Sequence, residues 1–443
     1  MISQKYPLIA AAVAATLAAG VANAAVPTLG QAAAPAASLV IAGSSAAESS
    51  VQAAVGADIC GGAANMLTMK SAGGSGNFFS FSCTPSPAIS GVPAGVVTIY
   101  YRTEGGSVVG ALPVVSQAKI KRLNLSDSTC TASGTSGTCS ITGLTATAGT
   151  QDTWGQAVTA DFVQLGVTDV EPAQLGNPGD FPSAYSTAAF GTATAKQLAA
   201  LPTSRIFQQV FGIVVNTTGG AFTSSTVNLS KESVQNILLR NYTDWSNVPN
   251  ATTGGKLVNT SQTITPIDRE QGSGTRTATN IFFLNYGCGG TTSIDSTGET
   301  LNFSTTDELN AAESTPGAIA YTSIDQILKA PTAFPNLVLA SINGVSPTNL
   351  AAATGAYDYW YEATFVTNSA QLTGAALQIA TVLENKLPVL ANAPGSPDIN
   401  VIPNYKGNNP AVPIPSTGSG TTQIYINPFT RVGNSCNLPV EQN

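Results

Sequence analysis

The stretch DREQGSGTRTATN, Asp268 to Asn280, gathers two arginines, two glycines and a run of hydroxyl residues in a chain of which only 9% is charged. Before it, Thr263 to Ile267 reads as a strand, and after it Thr275 to Phe283 reads as a helix. The loop Gly272-Ser273-Gly274-Thr275 therefore opens a helix. At such a point the first backbone N–H groups lack partners, the helix dipole presents about half a positive charge, and glycines let an anion approach closely. Ser273 and Thr275 add hydroxyl donors, and Arg269 offers a planar fork that grips an oxyanion through two parallel hydrogen bonds. The plain alternative is a strand-to-helix turn with Ser and Thr as caps and Arg269 in a surface ion pair with Glu270 or Asp268. Two sharper readings fail. A Walker loop needs Lys after its last Gly, where Thr275-Arg276 stands, and a dinucleotide fingerprint needs a third Gly, where Thr277 stands.

Outward from this loop, strands and helices alternate. Phe207 to Val215, Ala318 to Tyr321 and Ala363 to Thr367 read as strands, and Ser230 to Leu239 and Gln371 to Leu387 as helices. Nearer the N-terminus, Ala37 to Ala42 and Gly95 to Tyr101 are strands, and Ser45-Ala46-Ala47-Glu48 has the form of a capping box opening a helix through Val55. The alternation predicts an α/β fold with mixed, mostly parallel sheets, its ligand sites lying where strand C-termini meet helix N-termini. Regions 60–95 and 112–155 are rich in Gly, Ser and Thr and hold four of the cysteines; they read as disulfide-pinned β insertions. At 443 residues, two packing units are the expectation.

Residues 1–24 have the form of a signal peptide: Lys5, an apolar run from Pro7 to about Val21, and Ala22-Asn23-Ala24 as the cleavage site. Residues 25–36 read as an Ala/Pro-rich leader without periodicity. The apolar run is too short to span a bilayer and no comparable run follows, so no transmembrane anchor is expected. Export to a periplasmic or extracellular location agrees with six cysteines, none in a C-x-x-C pair. The cheapest pairing is sequential, Cys60 with Cys83, Cys130 with Cys139 and Cys288 with Cys436, although six cysteines permit others. The Pro/Gly/Asn-rich tail from Asn392 reads as coil whose end Cys436 ties back to the body. A net charge of −7 without a basic patch argues against nucleic acid as a partner. The chain has no histidine, which removes every Ser-His-Asp and Cys-His hydrolase arrangement and every imidazole ligand. No metal, cofactor or catalytic residue is expected.

The exported α/β pattern, and DREQGSGTRTATNIFF above all, resembles the phosphate-binding family of the type II periplasmic solute-binding proteins of ABC transporters. Further echoes follow in order: IAGSSAAESS from Ile41, GVTDVEP from Gly166, FGIVVN from Phe211, NYTDWSNV from Asn241 and PGAIAYTSID from Pro316. The two cysteine-bearing insertions and the tail find no counterpart. The resemblance implies a monomer of two lobes, residues 37–208 with 366–443 and residues 209–365, joined by crossovers near Phe207 to Val215 and Tyr359 to Thr367. It implies inorganic phosphate or a similar oxyanion as ligand and an ABC transporter permease as partner. By motif, Arg269, Ser273, Gly274 and Thr275 are the ligand contacts of the second lobe, and Ser45 and the backbone of Ala46 those of the first. Ser45 as a plain helix cap is the alternative. Asp169, in Gly166-Val167-Thr168-Asp169, matches the family's carboxylate. Near neutral pH phosphate keeps a proton to donate to such an acceptor and sulfate does not; the alternative for Asp169 is an exposed turn carboxylate. Ser107, in Tyr101-Arg102-Thr103-Glu104-Gly105-Gly106-Ser107, stands where the family has a Gly/Ser-rich turn. Arg102, Glu104 and Gln271 depart from the pattern, and an inward Glu104 would repel an anion. A rival reading makes the chain a surface or secreted relative with an adhesive or structural role; a phosphatase on this scaffold is a third.

Overall fold

The computed structural model describes residues 25–72, 77–141, 158–177, 180, 192–222, 226–328, 332–388, 402–403 and 427–442. Residues 1–24, read above as a signal peptide, the end of the second insertion and most of the tail lie outside the described residues. In chain order the strands of the first half are β1 (Ala37–Gly43), β2 (Leu67–Ala72), β3 (Phe78–Cys83), β4 (Val97–Arg102), β5 (Lys119–Leu123), β6 (Cys130–Ser133), β7 (Ser136–Ser140), β8 (Val158–Phe162) and β9 (Leu165–Thr168). Those of the second are β10 (Thr203–Asn216), β11 (Asn228–Leu229), β12 (Thr265–Pro266), β13 (Ala318–Ser323), β14 (Leu337–Ile342) and β15 (Trp360–Thr367). One sheet runs β11-β14-β10-β15-β9-β1-β4-β3-β2-β7-β6, with β13 on β10 and β12 on β13.

β1 shows why the sequence folds this way. Its run ASLVIAG is buried from Leu39 onward, and its side chains alternate between the two faces of the sheet. Leu39 and Ile41 join the cluster that includes Ile379 and Leu383 of the Gly374–Lys386 helix. Ala42 joins the cluster around Val108 and Leu112 of the Ser107–Ser116 helix on the other face. A strand covered on both faces needs to be apolar throughout, which is how its sequence reads.

The sheet is mixed, as expected, but less parallel. Parallel pairing joins β1 to β4 and β9, β2 to β7, β11 to β14 and β12 to β13. Antiparallel ladders outnumber these. The reason is β10, a strand long enough to serve both ends of the sheet. Along Thr203–Val210 it pairs antiparallel with β15, and along Phe211–Asn216 antiparallel with β13 and β14. β15 in turn runs antiparallel to β9.

The three disulfides pair sequentially, Cys60–Cys83, Cys130–Cys139 and Cys288–Cys436. The insertions are not free hairpins: β3 zips onto β4, β2 onto β3, and β7 onto β2, so they extend the sheet. Three expectations need correction. Region 112–155 begins inside the Ser107–Ser116 helix, whose Pro113 hides its helical character from sequence reading. The supposed leader forms a short helix, Leu29–Ala33, capped by Thr28, with Ala32 buried and its carbonyl accepting from Thr98 Oγ1 at 2.9 Å. The helix after β1 is Glu48–Ala54, and the hydroxyl that accepts a backbone N–H at its start is Ser44, from Ala47 at 3.0 Å, rather than Ser45.

Candidate functional site

Because β4, β1 and β9 are parallel neighbours, their C-termini lie along one edge, and each delivers a loop there. Gly43 ends β1 at φ +130, where a Cβ would collide with the Val167 carbonyl, and sets down Ser44 and Ser45. Gly105 and Gly106, both at positive φ, lead from β4 into Ser107 at the head of its helix. β9 ends on Thr168 and hands over Asp169. From the other end of the sheet, β12 leads to Arg269 and the Gly274–Leu284 helix, and the Thr305–Ser314 helix starts nearby. The far end of the Gly274–Leu284 helix is anchored by aromatic packing. Phe282 stacks on Tyr359 at 4.6 Å and Phe283 meets it edge-on at 5.2 Å, while Thr279 Oγ1 and Tyr359 Oη share a 2.6 Å hydrogen bond.

The two glycine turns lie against each other. Val108 N donates to Gly272 O at 2.9 Å, and a Cβ on Gly106 would stand 3.0 Å from Ser273 Cα. Asp169, 2% exposed, sits in the middle. Its Oδ1 accepts from the Ser44 hydroxyl, its Oδ2 from Thr275 Oγ1 at 3.3 Å, and its N–H donates to Ser107 Oγ at 3.0 Å. Burial raises its acid above the ordinary carboxylate range; the Ser44 hydrogen bond, the Arg269 charge and the Thr275 and Ser107 hydroxyls pull the other way. Asp169 is not an exposed turn residue.

Nor is Arg269 on the surface. It is 1% exposed and its guanidinium donates to Asn302 O at 3.1 Å, Thr305 Oγ1 at 3.0 Å, Phe303 O at 3.4 Å and Ser45 Oγ at 3.5 Å. Glu308 lies 3.9 Å away, its carboxyl pushed well above the usual range by burial against the pull of Arg269. Ser45 Oγ also accepts from Thr305 N at 3.2 Å. Ser273 caps its helix, its Oγ accepting from Arg276 N at 3.3 Å, which leaves its hydroxyl proton to donate elsewhere. Gly274 and Thr275 form the first turn, whose N–H groups have no intrahelical partner. Gly274 packs so tightly that a Cβ there would collide with Ser107 Oγ and stand 2.7 Å from Asp169 Oδ2.

Thus Ser45, Ser107, Asp169, Arg269, Ser273, Gly274 and Thr275, spread over some of the chain's most distant segments, converge on one place. Ala46 is buried beside them, its carbonyl accepting from Gln326 Nε2 at 3.4 Å. Glu104 is turned inward but paired: Arg102 donates to its Oε2 at 2.7 Å. Sequence reading missed Ser44, Tyr101, whose hydroxyl donates to Ser44 O, and Thr305. For Thr305 a signal existed, since Ser304-Thr305-Thr306-Asp307 is a helix start whose cap Ser304 accepts from Asp307 N at 3.1 Å. Among the described residues, no group of three or more His, Cys, Asp or Glu is arranged to hold a metal, and no helix is long and apolar enough to cross a membrane.

An α/β sheet thus brings three helix N-termini and a buried arginine around one carboxylate. Residues 190–382 match the family model described as a PBP superfamily domain. No curated protein matches the chain. Among solved structures, a putative phosphate ABC transporter substrate-binding protein with bound phosphate from Clostridium perfringens is similar at 13% identity and a TM-score of 0.44, covering 78% of this chain and 92% of that one. A high affinity periplasmic phosphate-binding protein, PfluDING, is similar at 14% identity and a TM-score of 0.41, over 80% of this chain and 87% of the other. A phosphate-binding protein from Stenotrophomonas maltophilia is similar at 14% identity and a TM-score of 0.40, over 79% and 84%.

Proposed function

We propose that the chain is an exported solute-binding protein that captures an oxyanion, inorganic phosphate foremost, and delivers it to an ABC-type permease without catalysing any reaction. Its lobes in this reading are residues 37–208 with 366–443 and residues 209–365, and its ligand contacts Ser45, Ala46, Ser107, Asp169, Arg269, Ser273, Gly274 and Thr275. The observation that carries the reading is Asp169, a buried acceptor set among hydroxyl donors and helix N-termini and drawn electrostatically toward Arg269.

A site that only donated hydrogen bonds would take any oxyanion. One acceptor among donors selects a ligand that still owns a proton, as phosphate does near neutral pH and sulfate does not. Ser107 Oγ accepts from Asp169 N and so keeps its proton for an oxyanion, while Thr275 Oγ1, which donates to Asp169, would exchange that bond for a charge-assisted one to the ligand. The ligand stabilises the closed arrangement to the extent that it binds it better than an open one. The negative net charge does not oppose this, because salt screens diffuse charge over ~8 Å while the helix termini act at contact.

Calorimetry with phosphate and sulfate tests the proposal. Micromolar or tighter binding of phosphate, with sulfate rejected, supports the receptor; absence of phosphate binding by purified protein stripped of ligand refutes it and favours the adhesive or structural alternative.

A further inference from the structure

Glu270 follows Arg269 directly and belongs to no ligand motif. It is 3% exposed, and its Oε1 is buried without a hydrogen-bond partner. A Cβ on Gly105 would stand 3.7 Å from that oxygen, and a Cβ on the next residue, Gly106, 3.6 Å from Arg269 Nη2. The Glu270 carboxyl and the Arg269 guanidinium therefore border the same two-glycine turn. Glu104, also 3% exposed, is the second buried acid at this turn. Arg102 donates to Glu104 Oε2 from Nε at 3.2 Å and from Nη2 at 2.7 Å.

We propose that Glu270 tunes the affinity of the Arg269 site: as a neutral acid it leaves the charge of Arg269 to the ligand, and as a carboxylate it competes for that charge, so that anion capture weakens as Glu270 ionises. The inference rests on the reading that Arg269 grips an anion. The charged groups around Glu270 are Glu104 and Arg102 from the β4 turn, Arg269 from its own loop and Asp307 from the Thr305–Ser314 helix. Burial first and the Glu104 charge second push the Glu270 acid well above the usual carboxylate range, against the opposing pull of Arg269 and Arg102. A neutral carboxyl is also the form that tolerates a buried oxygen without a partner; an unpaired buried carboxylate costs far more.

The test is isothermal calorimetry with inorganic phosphate on the full mature chain and on Glu270→Gln, from about pH 5.5 to about pH 9. Phosphate changes its own charge over this range, so the quantity read is the ratio of the two Kd values at each pH, in which the ligand's titration cancels. The ratio of wild-type to variant Kd is expected to rise on the order of tenfold toward high pH. A ratio independent of pH overturns this inference and leaves the phosphate reading in place. Absence of binding by both proteins at every pH overturns the phosphate reading and this inference with it. Glu104→Gln provides a second variant. Removing the Glu104 charge eases ionisation of Glu270, so the weakening is expected to begin at lower pH, and an unmoved profile refutes the inference.

Discussion

Asp169 and Arg269 illustrate how one side chain acquires a role from its surroundings. Asp169→Asn keeps the shape but replaces one acceptor oxygen by a donor amide, so a proton-bearing ligand loses its partner while sulfate gains one. Phosphate affinity is expected to fall and the preference for phosphate over sulfate to shrink by at least ~100-fold, read by calorimetry; unchanged selectivity removes Asp169 from the site. Arg269→Lys retains charge and loses the planar fork that reaches Asn302, Phe303, Thr305 and Ser45 together. Phosphate binding should weaken by about 2–5 kcal/mol in the same assay. Ser44 marks where residue-level reading stops. Two serines follow Gly43, and nothing local separates them; the turn at Gly43 points the first at Asp169 and leaves the second for Thr305 and Arg269.

At the scale of elements, the site is a meeting of helix starts, and its tolerance is set by how closely they pack. Gly274 lies in ordinary helical conformation, where alanine is intrinsically favoured by close to 1 kcal/mol. Yet a Cβ there collides with Ser107 Oγ. Gly274→Ala is therefore expected to lower stability by about 1–3 kcal/mol despite its helix propensity, by overpacking the junction. Thermal denaturation measures this, and a stabilised variant would mean that the junction has room for a methyl group. The strand and helix alternation that announced these elements was legible because β1, β4 and the Gly274–Leu284 helix are locally consistent runs. The Ser107–Ser116 helix was not, since its glycine and proline contradict helix propensity and only burial between β1 and β9 sustains it.

For the whole molecule, the C-terminal segment acts as a strap. Arg431 donates to Trp360 O at 3.0 Å and Asp358 O at 2.7 Å, Gln208 Nε2 donates to Phe429 O at 2.9 Å, and Cys436 is bonded to Cys288 across 148 residues. Opening that loop in a Cys288→Ser, Cys436→Ser double variant should cost about 2–5 kcal/mol, seen as a lower denaturation midpoint. Buried acids shape the pH response. Asp169, Asp268, Glu270 and Glu308 are all raised, chiefly by burial, Asp180 to about 6 for the same reason, and Glu299, also through burial, to about 7. A carboxyl raised in the folded state gives stability that is complete below its ordinary value near pH ~4 and lost as pH rises through the folded value. Asp244, lowered to about 2 by the Ser261 and Ser246 hydroxyls, works the other way. The denaturation midpoint is therefore expected to be higher at about pH 5 than at about pH 8; the reverse order would mean that these acids are ionised and paired in the folded chain.

The α/β class, an even set of six cysteines and a glycine- and hydroxyl-rich helix start were all readable from the chain alone, because each rests on near neighbours or on a simple count, while the disulfide connectivity stayed open until the fold paired the cysteines. Only the tertiary structure decided that β10 would turn the sheet largely antiparallel, that Ser44 rather than Ser45 would bond to Asp169, and that Glu104 and Glu270 would be buried side by side. Those outcomes depend on strand pairing and desolvation between residues a hundred or more positions apart, where no local pattern reaches.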